Sequence, residues 1–292
     1  MRATRILAIF APLLLVGASA FGCASTVEQH DVAGVDEIVN GRVASSADGM
    51  ARIMFADQPW CGGTLVAPNW VLTAAHCIDE KNAADLAVRI GDIDLRSGGA
   101  ARAVIGTHPH ENFDSSSLQN DVALLELAPT AVAHKTTSLA GCADADTLTV
   151  GGSVDVFGWG ATDASDEHSQ SSVLQTATST VVDCAPFGET GVKGDVIYRN
   201  LDQTKVVCVG DASGVANACA GDSGGPLFAT SKDGARVQVG IDSEGLRPCG
   251  QANRPTVFTR VIAYLSWIHA TTGGAAGSAS CPAPVSASRT SP

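Results

Sequence analysis

Residues 219–226 read Cys219-Ala220-Gly221-Asp222-Ser223-Gly224-Gly225-Pro226, and this octapeptide decides how the rest of the chain is read. One serine stands among three glycines, in a stretch free enough of bulky side chains to turn tightly. Taken alone it need be no more than a turn. A serine hydroxyl is a poor nucleophile at neutral pH and needs a base within hydrogen-bond reach. Two other segments supply what is missing. Leu72-Thr73-Ala74-Ala75-His76-Cys77 carries a histidine, which titrates near neutrality, and Asn120-Asp121-Val122-Ala123-Leu124-Leu125 carries an aspartate heading an apolar run. In such a set His76 takes the Ser223 proton and later delivers it to a leaving amine, while Asp121 fixes the imidazole tautomer. The Gly221 and Ser223 N–H groups are the candidates to face a developing oxyanion.

Outward from these segments, short apolar runs at 63–66, 70–73, 86–90, 122–127 and 154–159 alternate with Gly, Pro, Asn and Asp. Many short strands with frequent turns predict an all-β barrel or sandwich. Val261, Ile262, Leu265 and Ile268 fall three or four apart beside Tyr264 and Trp267, which predicts an amphipathic helix closing the domain. A division falls near residues 130–147, and no internal repeat is strong enough to use.

The first 22 residues read as an export signal: Arg2 and Arg5, an apolar run at 6–16, then Ala18-Ser19-Ala20. The run is too short to span a bilayer as a helix. Ala-x-Ala before Phe21 suits ordinary cleavage and a secreted product. Ala20-Phe21-Gly22-Cys23 is similar to a lipoprotein signal, which would leave the protein lipid-anchored at the cell envelope through Cys23; both localisations stay open. Residues 23–37 are polar and acidic and read as a propeptide or linker. Residues 273–292, rich in Gly, Ala, Ser and Pro, read as a disordered tail carrying Cys281.

With 292 residues, 45% of them hydrophobic, the chain can bury substantial cores. A net charge of -12 and the absence of any basic run argue against binding nucleic acid through its phosphates. Nine cysteines in an exported chain imply disulfides, and the odd number leaves at least one for another role. No pair has the compact spacing of a zinc site, so no metal and no cofactor is expected.

The segments Thr73-Ala74-Ala75-His76-Cys77, Asn120-Asp121-Val122-Ala123-Leu124-Leu125-Glu126-Leu127 and Gly221-Asp222-Ser223-Gly224-Gly225-Pro226, in that order, resemble the trypsin and chymotrypsin family of serine proteases. Cys61-Gly62-Gly63-Thr64-Leu65 and Gly158-Trp159-Gly160 extend the resemblance to residues 38–270. It implies two six-stranded antiparallel β-barrels, about 38–130 and 147–272, with the site between them and a C-terminal α-helix; the protease domain is 38–272. It also implies a secreted serine endopeptidase working through an acyl-enzyme, with Ser223, His76 and Asp121 in the roles of the family's own template. The alternative is a catalytically silent binding module on the same fold. The partners implied are protein or peptide substrates, protein protease inhibitors and an activating protease, with membrane contact only if Cys23 is lipidated.

Ile38-Val39-Asn40-Gly41 resembles the segment that follows the activation cut of such zymogens, so a freed Ile38 ammonium would pair with Asp222 and order the oxyanion hole. Asn40 replaces the usual glycine, and Glu37 precedes the cut where self-activation needs Lys or Arg. The plainer alternative, that Ile38-Val39 is the first strand, leaves Asp222 without a buried partner. The resemblance pairs Cys61 with Cys77, Cys184 with Cys208, and Cys219 with Cys249. Of the remaining three, Cys142 joins Cys281 if Cys23 is lipidated, or else is free to join Cys23. The substrate pocket departs from the family pattern. Asn217 stands where trypsin-like enzymes hold an aspartate, Thr256 replaces a common glycine and shortens the pocket, and Gly245 keeps its entrance open. In Asp242-Ser243-Glu244 two carboxylates stand where Val and Trp are usual, near the substrate strand. A preference for small uncharged residues and one for basic residues, the latter through Asp242, both stay open.

Overall fold

A computed structural model of the chain describes residue 38, residues 41–97, 101–184, residue 198, and residues 201–210 and 217–279. The signal and propeptide readings, Cys23, and the tail beyond residue 279 lie outside the described residues. Strand β1 (Arg42–Val43) precedes the first barrel, built from β2 (Met50–Phe55), β3 (Gln58–Ala67), β4 (Trp70–Thr73), β5 (Leu86–Ile90), β6 (Arg102–Pro109) and β7 (Ala123–Leu127). These close in the order β2-β3-β4-β7-β6-β5, every pair antiparallel. Along β5, Leu86, Val88 and Ile90 are buried and the residues between them are half-buried, the period-2 alternation of a barrel wall.

The second barrel follows from β8 (Ser153–Gly158), a hairpin of β9 (Ala161–Asp163) and β10 (Asp166–Gln170), then β11 (Gln175–Val182), β12 (Val206–Val209), β13 (Pro226–Thr230), β14 (Arg236–Glu244) and β15 (Thr256–Arg260). Six of these strands close through β8-β11-β12-β15-β14-β13-β8, with β1 added outside β11. Both barrels carry bulges, at Ile53/Met54, Leu65/Ala67 and Val104/Gly106 in the first and at Leu227/Phe228 and Asp242/Glu244 in the second. Such bulges bend strands sharply enough to close small barrels. The expected two six-stranded antiparallel barrels are therefore present.

The helical stripe starts as a 3-10 turn at Val261–Tyr264 and becomes α1 (Leu265–Thr271), shorter than the sequence pattern suggests. Val261, Tyr264, Leu265 and Ile268 pack into the first barrel's core, so the chain that builds the second barrel ends as a strap across the first. Residues 273–279, read from composition as unstructured tail, turn back along α1 instead. Gly274 N–H donates to His269 O at 2.8 Å, Ala276 N–H donates to Thr272 Oγ1 at 3.1 Å, and Gly273, Gly274 and Gly277 take the positive φ values this reversal needs.

Two features hold the barrels against each other at the place where Ser223 sits. Gly62 N–H donates to Ser223 O at 2.8 Å, and a Cβ on Gly62 would stand 2.9 Å from Gly225 Cα, so glycine alone fits this seam. Thr64 Oγ1 of β3 reaches across to Gln238 Oε1 of β14 at 2.6 Å, both residues fully buried. Ile38 lies in a turn at φ 60 rather than in a strand, and its side chain is wholly buried in the second barrel's core with Val154, Val156 and Phe258. The three disulfides that the family resemblance implies are formed, Cys61–Cys77, Cys184–Cys208 and Cys219–Cys249. Cys142 is also disulfide-bonded. Among the described residues no helix is long and apolar enough to cross a membrane.

Candidate active site

His76 and Asp121 come from the first barrel and Ser223 from the second. His76 sits in the 3-10 turn Ala75–Cys77 that ends β4, and Asp121 lies two residues before β7, the neighbour of β4. The pairing Thr73↔Ala123 thus brings the end of one strand beside the start of the other. His76 Nδ1 lies 2.7 Å from Asp121 Oδ2, and the His76 backbone N–H donates to Asp121 Oδ1 at 2.9 Å, so both carboxylate oxygens are engaged by one residue. The second barrel closes the arrangement: Ser243 Oγ donates to Asp121 Oδ2 at 2.6 Å, and Thr259 Oγ1 donates to the Asp121 carbonyl at 2.8 Å. Asp121 is completely buried while the His76 side chain stays 25% exposed, and the outer nitrogen, Nε2, lies 3.6 Å from Cys77 Sγ. Ser223 lies in the loop before β13, and its hydroxyl makes no hydrogen bond to His76 among the described contacts; such pairs commonly tighten only when substrate arrives.

Residues 38–268 match the family model described as Trypsin. The chain belongs to the trypsin family of serine proteases. It is similar to a trypsin, Blo t 3, of Blomia tropicalis, 35% identical over 79% of this chain and 84% of that protein. Chymotrypsin-like elastase family member 1 of Canis lupus familiaris is 33% identical over 72% of this chain and 80% of its own length. Vitamin K-dependent protein C of Oryctolagus cuniculus is 30% identical over 82% of this chain, which spans 55% of that protein.

On the trypsin-family scaffold the loop carrying Ser223 is seated on Asp222. That carboxylate is almost fully buried and accepts N–H bonds from Gly160 at 2.7 Å and Cys219 at 2.9 Å. Gly158 and Gly160 make room for it, since a Cβ on Gly158 would lie 1.9 Å from Asp222 Oδ1. Burial pushes the Asp222 carboxyl up to about 6, against the two N–H bonds and the charge of Arg52. The peptide N of Ile38 makes no ion pair with it in the continuous chain, and among the described residues no cation lies at ion-pair distance from Asp222.

A small cavity of about 30 Å³ opens beside Ser223, walled by Asp242, Ser243, Gly245 and Thr256. Asn217 does not line it: the amide is buried, with Nδ2 donating to Arg254 O at 3.2 Å. Asp242 is 5% exposed, and burial, reinforced by the charge of Asp222, holds its carboxyl well above the usual range. Glu244 is pushed up to about 7, first by burial and then by the charge of Asp121. A larger cavity of about 540 Å³ lies beyond Ser243 and Glu244, bordered by Leu118, Lys205 and Tyr264. His76 also lies within 4.8 Å of the Cys61 and Cys77 sulfurs, but these are joined to each other and offer no thiolate to a metal.

The structure thus brings together His76, Asp121, Ser243, Ser223, Gly221, Asp222, Asp242, Gly245 and Thr256. Sequence reading missed Thr259, which holds the Asp121 carbonyl, and Arg52 and Gln170, which meet at Gly221. Only Arg52 left a trace, as a lone charge within the apolar run 50–55.

Burial pulls the His76 imidazole down, but the hydrogen bond and charge of Asp121, with the charge of Asp242, outweigh it and the pKa lies above 6.5. Removing the Asp121 charge leaves burial dominant, so Asp121→Asn is expected to move the His76 titration to lower pH. Proton NMR of the imidazole checks this; an unchanged or raised midpoint in Asp121→Asn would show that Asp121 does not set it.

Proposed function

We propose that this protein is a secreted serine endopeptidase that cleaves peptide bonds through an acyl-enzyme on Ser223. The observation that carries the reading is the 2.7 Å link between His76 Nδ1 and a carboxylate with no exposure, in a chain of the trypsin family. A buried partner fixed from both barrels leaves His76 one orientation, with Nε2 as its working nitrogen. Ser223 Oγ attacks the substrate carbonyl as its proton passes to His76 Nε2. The oxyanion is taken by the Gly221 and Ser223 N–H groups, and the imidazolium returns the proton to the leaving amine. Water, activated by the same His76, then releases the acid. The export-type leader, the disulfides and the lack of a basic surface run fit a product that works outside the cell, freely secreted unless Cys23 is acylated.

A zymogen state is part of the proposal. Among the described residues Asp222 has backbone donors but no cation within ion-pair distance, and a cut before Ile38 would create an ammonium near the side chain already buried in the second barrel. That charge would lower the Asp222 carboxyl from about 6 and hold the Ser223 loop in place. Glu37 before the bond implies an activating protease that accepts an acidic residue, not self-activation of the trypsin type.

For the residue accepted beside Ser223 we favour small uncharged side chains. Thr256 walls a cavity of about 30 Å³, room for about one or two water molecules, and Asn217 adds no charge to it. A long basic side chain needs a fixed carboxylate to make its preference steep. Asp242 is the group that would supply one, with Asp242→Asn then erasing the preference. The larger cavity beyond Glu244 would take the substrate residues that precede.

Three measurements test these statements. Wild-type protein cut before Ile38 is expected to react with a fluorophosphonate probe and hydrolyse peptides. Ser223→Ala should label not at all and lose roughly 10⁵-fold or more in kcat/KM while keeping its circular dichroism; wild-type turnover in that variant ends the proposal. The chain with an intact Glu37–Ile38 bond should be at least ~10²-fold slower, the scale of a lost oxyanion donor, and full activity with an amino terminus sequenced upstream of Ile38 would refute the zymogen. A peptide library is expected to show cleavage after small uncharged residues, whereas strong cleavage after Arg and Lys would overturn the pocket reading in favour of Asp242.

A further inference from the structure

The run 50–55 places one arginine inside the first barrel's wall. Arg52 of β2 is 1% exposed, opposite Gly62 of β3 and Arg89 of β5. Its guanidinium leaves the barrel and crosses the seam. Nη1 donates to the Gly221 carbonyl at 2.6 Å and Nη2 donates to Gln170 Oε1 at 3.3 Å, while Nε has no partner among the described residues. Among the described residues no carboxylate lies at ion-pair distance from it. A buried cation without a contacting counter-ion is costly and is not explained by stability, since an apolar side chain of similar volume would serve the core as well or better.

Its contacts indicate another use. Gly221 sits at φ +97, and a Cβ there would meet the Gln170 amide at 2.8 Å, so Gln170 lies against one face of this glycine while Arg52 holds its carbonyl. A charge-assisted bond to the carbonyl fixes the peptide that joins Gly221 to Asp222, and with it the setting of Gly221, whose own N–H is the candidate oxyanion donor. The charge also reaches Asp222: burial brings Arg52 down to about 10, partly offset by that carboxylate, and Arg52 in turn opposes the upward push on Asp222.

We infer that Arg52 is a positioning residue for the oxyanion hole, its guanidinium holding the Gly221 carbonyl from the first barrel while Gln170 holds the guanidinium. The inference rests on the serine-peptidase reading above. It differs from the Ile38 contribution because the Arg52 contact is present in the continuous chain. The cut would add the Ile38 ammonium to a loop that Arg52 already holds at Gly221.

The test compares wild type, Arg52→Met, Arg52→Gln and Arg52→Lys, all cut before Ile38. Arg52→Met and Arg52→Gln are expected to lose about 10²-fold in kcat with KM within about threefold, the scale of one mis-set oxyanion donor. Thermal midpoints should stay within about 4 °C of wild type. A peptide aldehyde reports the same geometry: Ser223 Oγ adds to its carbonyl carbon, the serine proton passes to His76, and the resulting oxygen lies in the oxyanion hole. Its affinity should fall by a factor similar to kcat. Arg52→Lys restores the charge without the fork and should recover part of the loss. If Arg52→Met does not fold, Arg52→Gln carries the comparison. Wild-type kcat and aldehyde affinity in either neutral variant overturns the inference, as does a kcat loss that merely tracks lowered thermal midpoints in all three. Labelling of wild type but not Ser223→Ala by the fluorophosphonate separates this outcome from failure of the peptidase reading, which would remove both.

Discussion

Everything at the site depends on how closely two backbones approach at the seam between the barrels. Gly62 and Gly225 pass with no room for a side chain, and the Gly62 N–H bond to Ser223 O ties the Ser223 backbone to the histidine-bearing barrel. A methyl group there would act as a wedge between rigid walls, because packed interiors do not compress to absorb it. Thr73 reinforces the same point by donating to Gly62 O at 2.8 Å from the end of β4, three residues before His76. The seam therefore sets how His76 and Ser223 stand to each other.

Around this seam the second barrel completes groups that the first barrel leaves unfinished. Asp121 belongs to the first barrel, yet its carbonyl is satisfied by Thr259 of the second, and its Oδ2, already held by His76, takes a further hydrogen bond from Ser243. Gly221 belongs to the second barrel, yet its carbonyl is satisfied by Arg52 of the first. Each half buries polar atoms that would be expensive without the other, so correct docking is enforced by unmet hydrogen bonds as much as by apolar contact. The strap from Val261 to Ile268 adds the apolar part, since it carries side chains from the end of the second barrel into the first barrel's core.

Much of this was legible in the amino-acid order because the chemistry needs particular residues in short local frames. His76, Asp121 and Ser223 announce themselves through their flanks, and the run 86–90 becomes a strand whose alternation matches a barrel wall. Other parts were hidden for physical reasons. Strand β11 has Gln175, Thr176 and Ser179 buried, so its inward face lacks the apolar pattern that marks a strand. Arg52 reads as a surface charge until the fold shows its guanidinium reaching a carbonyl 169 residues away. Asn217 sits at the sequence position of a pocket residue, but its amide turns to Arg254 O, a choice of direction that sequence position does not carry. Residues 273–279 look too glycine-rich to order, yet those glycines are what allows the chain to fold back on α1.

The bridge between Cys61 and Cys77 adds a condition of a different kind. It ties the residue that follows His76 to the strand that holds the seam, with Cys61 and Gly62 adjacent in sequence. In a reducing compartment that closure is absent, and the histidine's turn is then held by hydrogen bonds alone. The setting of the His76 turn therefore depends on the redox state of its surroundings as well as on the fold. Full rigidity at His76 is reached only where thiols oxidise.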